Sequence, residues 1–305
     1  MIMIKNLFFG LAFCCIIASC GTKTSDPTLR DFNFLPVKGI RYEEVKRRFS
    51  DGLSFNRDGF MQEPSWIVEI VAEDSILAYS PQKKIMQGFH LHYDHGNVYN
   101  FAEEWFKVKH ISKDSLVLQR VQVDAKVIAK DIRSDVNMTF YAQNYIKNTL
   151  KKEASTLQKP TKADTIFIRK RSEEVNKNPD SAYAGRIPVQ FMPTTKFASV
   201  EKISTVNKLI QRTAAYDYMF PQYKIVINKA YKDFAHQFSL VVDPNGNGKV
   251  KNVYGVMPED VDSKRKVIQA LCDYYLKNRF KIIPGETLGI PHNSEITLTL
   301  VGKTF

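Results

Sequence analysis

The sequence predicts an α+β protein. An N-terminal antiparallel β domain, barrel or sandwich, is expected over residues 34–130, a helical and polar connection over 131–184, and a C-terminal αβ module with an antiparallel sheet and one packed helix over 185–305. Three observations support this division. Short β-prone runs alternate with turn residues from Trp66 to Val123, the apolar period then lengthens to that of a helix, and the chain closes with a hairpin, an amphipathic helix and an alternating strand. With 44% hydrophobic and 25% charged residues, the chain has the composition of a packed globular protein and not of a disordered one.

Residues 20–33 carry Thr, Ser, Asp and Pro without an apolar period, which predicts a tether with order starting near Phe34. Glu43 and Glu44, followed by Val45 and Phe49 four apart, predict a short helix over 42–49, ended by Ser50-Asp51-Gly52. Strands are expected over 66–71, 75–79, 85–93, 97–101, 105–111 and 116–123, divided by Glu73-Asp74, Ser80-Pro81, His95-Gly96 and Lys113-Asp114. Phe106 and Val108 alternate with Lys107 and Lys109, the pattern of a strand with one dry face. The many aromatics, Trp66 and Trp105 among them, suit either a packed barrel or one that holds a small apolar ligand, with its opening then between the two tryptophans.

Farther on, Phe140, Tyr141, Tyr145, Ile146 and Leu150 form a helical stripe within 135–157 that Lys159-Pro160 ends, residues 163–168 read as a strand, and residues 200–212 as a helix through Val206, Leu209 and Ile210. Phe238, Leu240 and Val242 mark a strand, Asp243 to Gly248 a turn, and 249–256 the returning partner. Val267, Ile268, Leu271, Tyr274 and Tyr275 share one helical face with Cys272 beside it. Ile296, Leu298 and Leu300 then alternate with Glu295, Thr297 and Thr299.

At the start of the chain, Lys5 precedes an apolar run over 7–17 that is too short to span a bilayer, so residues 1–19 read as an export signal. The string Ile17-Ala18-Ser19-Cys20, followed by Gly21, resembles the lipobox of bacterial lipoproteins. The resemblance implies cleavage before Cys20, a diacylglycerol on its sulfur, palmitate among the acyl chains, and membrane attachment through lipid alone. Each buried CH2 contributes about 0.8 kcal/mol to such an anchor. In Bacteroidetes-like lipoproteins, surface display goes with an acidic block after the cysteine. The segment Gly21-Thr22-Lys23-Thr24-Ser25-Asp26 has none, which implies the periplasmic face of the cell outer membrane.

Of the four cysteines, Cys14 and Cys15 leave with the signal and Cys20 carries lipid, so Cys272 is the one thiol left and is expected on a buried helix face. The net charge of +12 is concentrated in residues 131–305. In an exported protein this argues against nucleic acid and leaves anionic lipid head groups, an acidic protein or a solvated basic surface.

The C-terminal order of strand, Gly-containing turn, strand, helix ending in Arg279-Phe280-Lys281, then Gly285, Pro291 and a last alternating strand is similar to the C-terminal domain of the TonB energy-transducer family, and Phe220-Pro221 to the Tyr-Pro pair ahead of that domain. The resemblance covers about the last third of the chain. It departs from the family where the proline expected after Phe-Lys is displaced to Pro284, and in the lack of a long Pro-rich segment and of an inner-membrane helix. It implies an edge strand that accepts an extended peptide from an outer-membrane or periplasmic protein, with Ile296, Thr297, Leu298, Thr299 and Leu300 as that edge. The other reading of these residues is the domain's own sheet with its edges covered.

Two strings carry possible chemistry. His90-Leu91-His92-Tyr93-Asp94-His95 matches the H-x-H-x-D-H string of metallo-β-lactamase-like hydrolases, making His90, His92, Asp94 and His95 candidate metal ligands. The alternation of Phe89, Leu91 and Tyr93 with them equally predicts a strand with a wet face. Asp243, Asn245, Asn247 and Gly248 open like a calcium loop, but Tyr254 stands at the twelfth position, so a hairpin turn accounts for them better. The expected function is therefore a membrane-anchored lipoprotein acting as a binding or assembly module, with no cofactor. The alternatives are a carrier of a small apolar ligand in the N-terminal barrel and a zinc-dependent hydrolase.

Overall fold

The computed structural model describes residues 30–124, 127–128, 134–207 and 213–305. The signal, Cys20 and most of the expected tether lie outside the described residues, as do residues 208–212 of the expected helix 200–212.

The N-terminal part consists of β1 (Arg41–Arg48), β2 (Ile67–Ala72), β3 (Ser75–Ser80), β4 (Ile85–His90), β5 (His92–His95), β6 (Val98–Phe101), β7 (Glu104–Ile111), β8 (Ser115–Val121), the short pair β9 (Val123–Asp124) and β10 (Val127–Ile128), and β11 (Val136–Ala142). Nine of these form one antiparallel sheet in the order β4-β3-β2-β1-β11-β8-β7-β6-β5. Its two outer strands are separated in sequence only by Leu91. One run of chain thus pairs with β3 along its first half and with β6 along its second, which nearly closes a barrel. The interior is filled by Tyr42, Phe106, Leu116, Met138 and Phe140 among others, so this is a packed barrel.

Residues 42–49 are not the expected helix but strand β1. Tyr42 packs in the barrel core, and a bulge between Glu44 and Lys46 turns Val45 outward against Ile146 and Ala154. Glu44 is fully buried, and its carboxylate accepts the amides of Ser65 and Trp66 where the chain enters β2. Partners some 20 residues away thus override a local helical pattern. Strand β11 is a second correction. The stripe from Phe140 to Ile146 read as helical, yet residues 136–142 pair with β1 and β8 in the middle of the sheet. The barrel therefore takes in residues assigned to the connection.

After a π-helical turn at Tyr145–Thr149 come α1 (Ala154–Leu157) and α2 (Lys162–Lys177). Helix α2 replaces the strand expected over 163–168. Thr161 and Asp164 form a capping box at its start, and the buried Asp164 also accepts the amide of Ser54 at 2.7 Å and faces Arg48 at 3.6 Å. At the other end of the barrel, Arg30 pairs with Glu73 and the Asp31 amide bonds to the Gly96 carbonyl, so the fold already includes residues ahead of Phe34.

The C-terminal module holds β12 (Gln190–Pro193), β13 (Ala198–Ile203), β14 (Gln222–Asn228), β15 (Phe234–Val242), β16 (Gly248–Val253), α3 (Val261–Leu271), a π-helical turn at Cys272–Leu276, α4 (Lys277–Arg279), β17 (Phe280–Ile283), β18 (Glu286–Thr287), β19 (Ile290–Pro291) and β20 (Ser294–Lys303). Five strands form a sheet in the order β13-β14-β20-β15-β16. In it β14 runs parallel to β20, and the other pairs are antiparallel. Residues 200–203, expected to begin a helix, belong to β13. Ile268, Leu271, Cys272, Tyr275 and Leu276 share a core with Phe238, Leu240, Leu298 and Leu300, which buries Cys272 as expected. Val267 and Tyr274, expected on the same face, are 49% and 64% exposed.

The topology also overturns the expected docking edge. Strand β20 is the central strand: Thr297, Leu298, Thr299 and Leu300 pair with β14 on one side and β15 on the other, and Ile296 pairs with Leu240. The last strand of the chain read as an edge because nothing in its own residues shows that β14, over 60 residues earlier, closes its second side. The outer strands are β13 and β16.

Candidate functional site

Strand register places Arg48, Glu104, Val121 and Val136 at one end of the barrel and Arg41, Ile111, Ser115 and Ala142 at the other. Arg30 docks beside the turn that follows Ala72, at the second end. At the first end, the loop between β1 and β2 meets the C-terminal module, and two cavities lie at this junction.

The first cavity, of about 510 Å³, is lined by Arg47 and Arg120 from the barrel wall, by Asn56, Phe60 and Gln62 from the loop, and by Tyr216 and its neighbours. Phe60 and Tyr216 stack face to face at 4.5 Å. Each arginine is held by a carboxylate. Arg47 binds Glu44 through Nε at 2.8 Å and Nη2 at 2.6 Å, and Arg120 binds Glu104 through Nε at 2.7 Å and Nη2 at 2.6 Å. Among the described residues, Nη1 of each enters no hydrogen bond. The wall thus offers fixed guanidinium donors beside an aromatic pair, a setting for a small amphipathic molecule with an acceptor group. Paired with Glu44 and Glu104, these arginines attract a ligand by donor geometry more than by net charge.

The second cavity, of about 580 Å³, shares Met219 and Phe220 with the first and adds Asp58, Arg171, Tyr183 and Glu295. The turn at Ala214–Met219 separates the two. Tyr218 pins this turn: its hydroxyl accepts the Met61 amide at 2.8 Å and donates to the Gly59 carbonyl at 3.0 Å, with the Arg186 guanidinium 4.2 Å from its ring. Burial pushes the Tyr218 phenol up to about 12, so it stays a donor. Gly59 has φ +82°, and a Cβ there would run into the Tyr183 ring. Only glycine allows the loop to lie this close to the module.

Behind the second cavity lies a buried polar cluster. The His292 ring stacks on Tyr183 at 4.0 Å, with Thr287 Oγ1 at 3.0 Å from Nε2 and the Asn293 carbonyl at 3.1 Å from Nδ1. Burial holds His292 down at about 4, and Arg171 adds to that effect. Burial also raises the Tyr183 phenol. Asn293 donates from Nδ2 to the Val175 carbonyl and from its backbone amide to Asn176 Oδ1, so the cluster ties α2 to the module. Compared with known proteins, the chain matches no family model and no curated sequence.

The sequence-predicted residues fall elsewhere. His90, His92, Asp94 and His95 are all exposed along the barrel seam, while Leu91 points into the core, which is the wet-faced strand that the alternation allows. The His90 and His92 rings stand 6.1 Å apart, and Asp94 Oδ2 accepts from His95 Nδ1 at 2.5 Å. Among the described residues, no group of three or more His, Cys, Asp and Glu side chains is placed to hold a metal ion. Asp243 accepts the amides of Asn245 and Asn247 with one oxygen, so the calcium-like string is a hairpin turn closed by its own aspartate. Trp66 packs edge-on to Phe101 and Phe106, so the space beside it is filled by aromatic rings. The residues that line the junction, Arg47, Arg120, Phe60, Tyr216 and Tyr218, carry no signal in their own neighbourhoods. Their partners lie on elements up to 159 residues away.

Proposed function

We propose that the protein is a lipid-anchored lipoprotein on the periplasmic face of the bacterial outer membrane, and that its folded part is a binding or assembly module held close to that membrane. The observation that carries this reading is the lipobox-like Ile17-Ala18-Ser19-Cys20 lying just ahead of Arg30, the first described residue, which docks on the barrel. Residues 21–29 span at most about 30 Å when extended, so a lipidated Cys20 keeps the barrel near the bilayer. Arg30, to which the tether leads, docks at one end of the barrel, and the junction cavities lie at the other, open to a partner in the periplasm. Among the described residues, no helix is long and apolar enough to cross a membrane.

Fractionation of the native host tests the reading. The wild-type chain is expected in the outer-membrane fraction, protected from protease added to intact cells, and the Cys20→Ala chain in the soluble or inner-membrane fraction. Equal distribution of the two chains contradicts it.

The cavity beside Arg47 and Arg120 favours a second reading, capture of a small amphipathic ligand. That site lies at the barrel's end and not in its filled interior. Native mass spectrometry of protein purified from its host is expected to show a bound mass that is lost in Phe60→Ala; an identical, ligand-free mass in both contradicts it.

A further inference from the structure

The far tip of the C-terminal module presents aromatic side chains that the sheet does not cover. The helix that packs on the sheet is apolar over a wider arc than the sheet can bury. Its π-helical turn at Cys272–Leu276 inserts an extra residue that sends Tyr275 and Leu276 inward and leaves Tyr274 out. Tyr274 and Tyr231 are each 64% exposed, with Val267 at 49% between them. Together with Leu271 and Tyr275 they line an open cleft of about 590 Å³.

Lysines surround this cleft. Lys232 lies 5.3 Å from the Tyr231 ring, Lys229 borders the cleft and lies 4.7 Å from the Phe197 ring, and Lys303 pairs with Asn228 at the end of β14. Lys264 and Lys232 both bear on His236. Burial first and then these two charges hold its imidazole below the ordinary range, an independent sign of positive potential at this tip. Of the nearby acids, Asp273 is paired with Lys277 and Asp233 accepts the Thr304 amide. Arg279, the one guanidinium in the cleft, donates to the carbonyls of Asn228 and Lys229, so it serves the fold.

The geometry points to this tip as a docking surface for an anionic phospholipid membrane. A site for a single carboxylate or an acidic peptide would be built from fixed, forked donors. Here the cations that no carboxylate holds among the described residues are lysines on flexible stems, lying over aromatic rings beside exposed tyrosines, which is the composition suited to a diffuse anionic interface. The tip lies where β14 and β20 end, and the barrel contacts the module where they begin, so this surface is separate from the junction cavities. The choice of a lipid surface rests on the lipid-anchor reading, and it gives an anchored protein a second, weaker membrane contact at the end of the molecule opposite the tether.

The test uses chain 20–305 with Cys20→Ser, which retains every described residue and has no lipid. Co-sedimentation is measured with vesicles of phosphatidylcholine alone and of equimolar phosphatidylcholine and phosphatidylglycerol. Binding is expected only to the anionic vesicles, lost at high salt, and weakened about twenty-fivefold in Lys229→Gln with Lys232→Gln, since each lysine near the surface contributes about fivefold. Tyr231→Ala with Tyr274→Ala is expected to weaken it with the salt dependence unchanged. No binding, equal binding to both vesicles, or binding indifferent to the lysine pair overturns the proposal, as does capture by immobilised polyglutamate without any vesicle binding. Because the chain carries no lipid, each of these failures leaves the anchor reading to its own test.

Discussion

Glu44 and Arg47, three residues apart on one strand, close a bidentate ion pair at 2.8 and 2.6 Å while the same carboxylate holds the amides of Ser65 and Trp66. One buried carboxylate thus fixes the entry of β2 and sets an arginine in the cavity wall. Removing it leaves two amides and a partly exposed guanidinium without the acceptor that holds them. Glu44→Ala is expected to cost about 3 to 5 kcal/mol in urea unfolding. A loss under about 1 kcal/mol would show that water reaches these groups.

The buried imidazole of His292 makes stability depend on pH. Its pKa is about 4 in the fold against 6.5 for the free side chain, so between these values the unfolded chain binds the proton and the folded chain does not. The contribution is full above pH 6.5 and is lost as pH falls towards 4, amounting to about 3 kcal/mol. His292→Gln is expected to be less stable at neutral pH and to show a flatter stability profile over that window. Parallel profiles for the two chains would refute it.

How far the sequence could be read depended on whether a pattern was local. The strands from Ile67 to Val121, the hairpin closed by Asp243 and the burial of Cys272 were legible, because alternation and turn chemistry operate over a few residues. Residues 42–49 read as a helix because Glu43 and Glu44 look like helix-start acids until Ser65, Trp66 and Arg47 are seen around Glu44. The Thr161 and Asp164 capping box was present in the sequence and would have identified α2. The junction site was illegible: Tyr218 and Gly59 meet across 159 residues, and neither belongs to a motif.

The central place of β20 gives its own expectation. Leu298 is fully buried between β14 and β15 against the helix. Leu298→Ala should therefore act as a core cavity and cost about 2 to 5 kcal/mol in thermal or urea unfolding. A variant of unchanged stability would return this strand to the role of an open edge.

In the hairpin between β6 and β7, Ala102 and Glu103 both take left-handed backbone angles, at φ 50° and 64°, and Glu103 is exposed. Relief of this strain in Glu103→Gly is expected to raise stability by about 1 kcal/mol, read as a higher Tm. A lower Tm would mean that the glutamate side chain supports the turn.

The measurement that bears most directly on the lipoprotein reading is the mass of the N-terminal peptide of the protein isolated from its native host. The account predicts a peptide that begins at Cys20 and carries diacylglycerol and an amide-linked fatty acid. A peptide that begins elsewhere, or an unmodified Cys20, would contradict it.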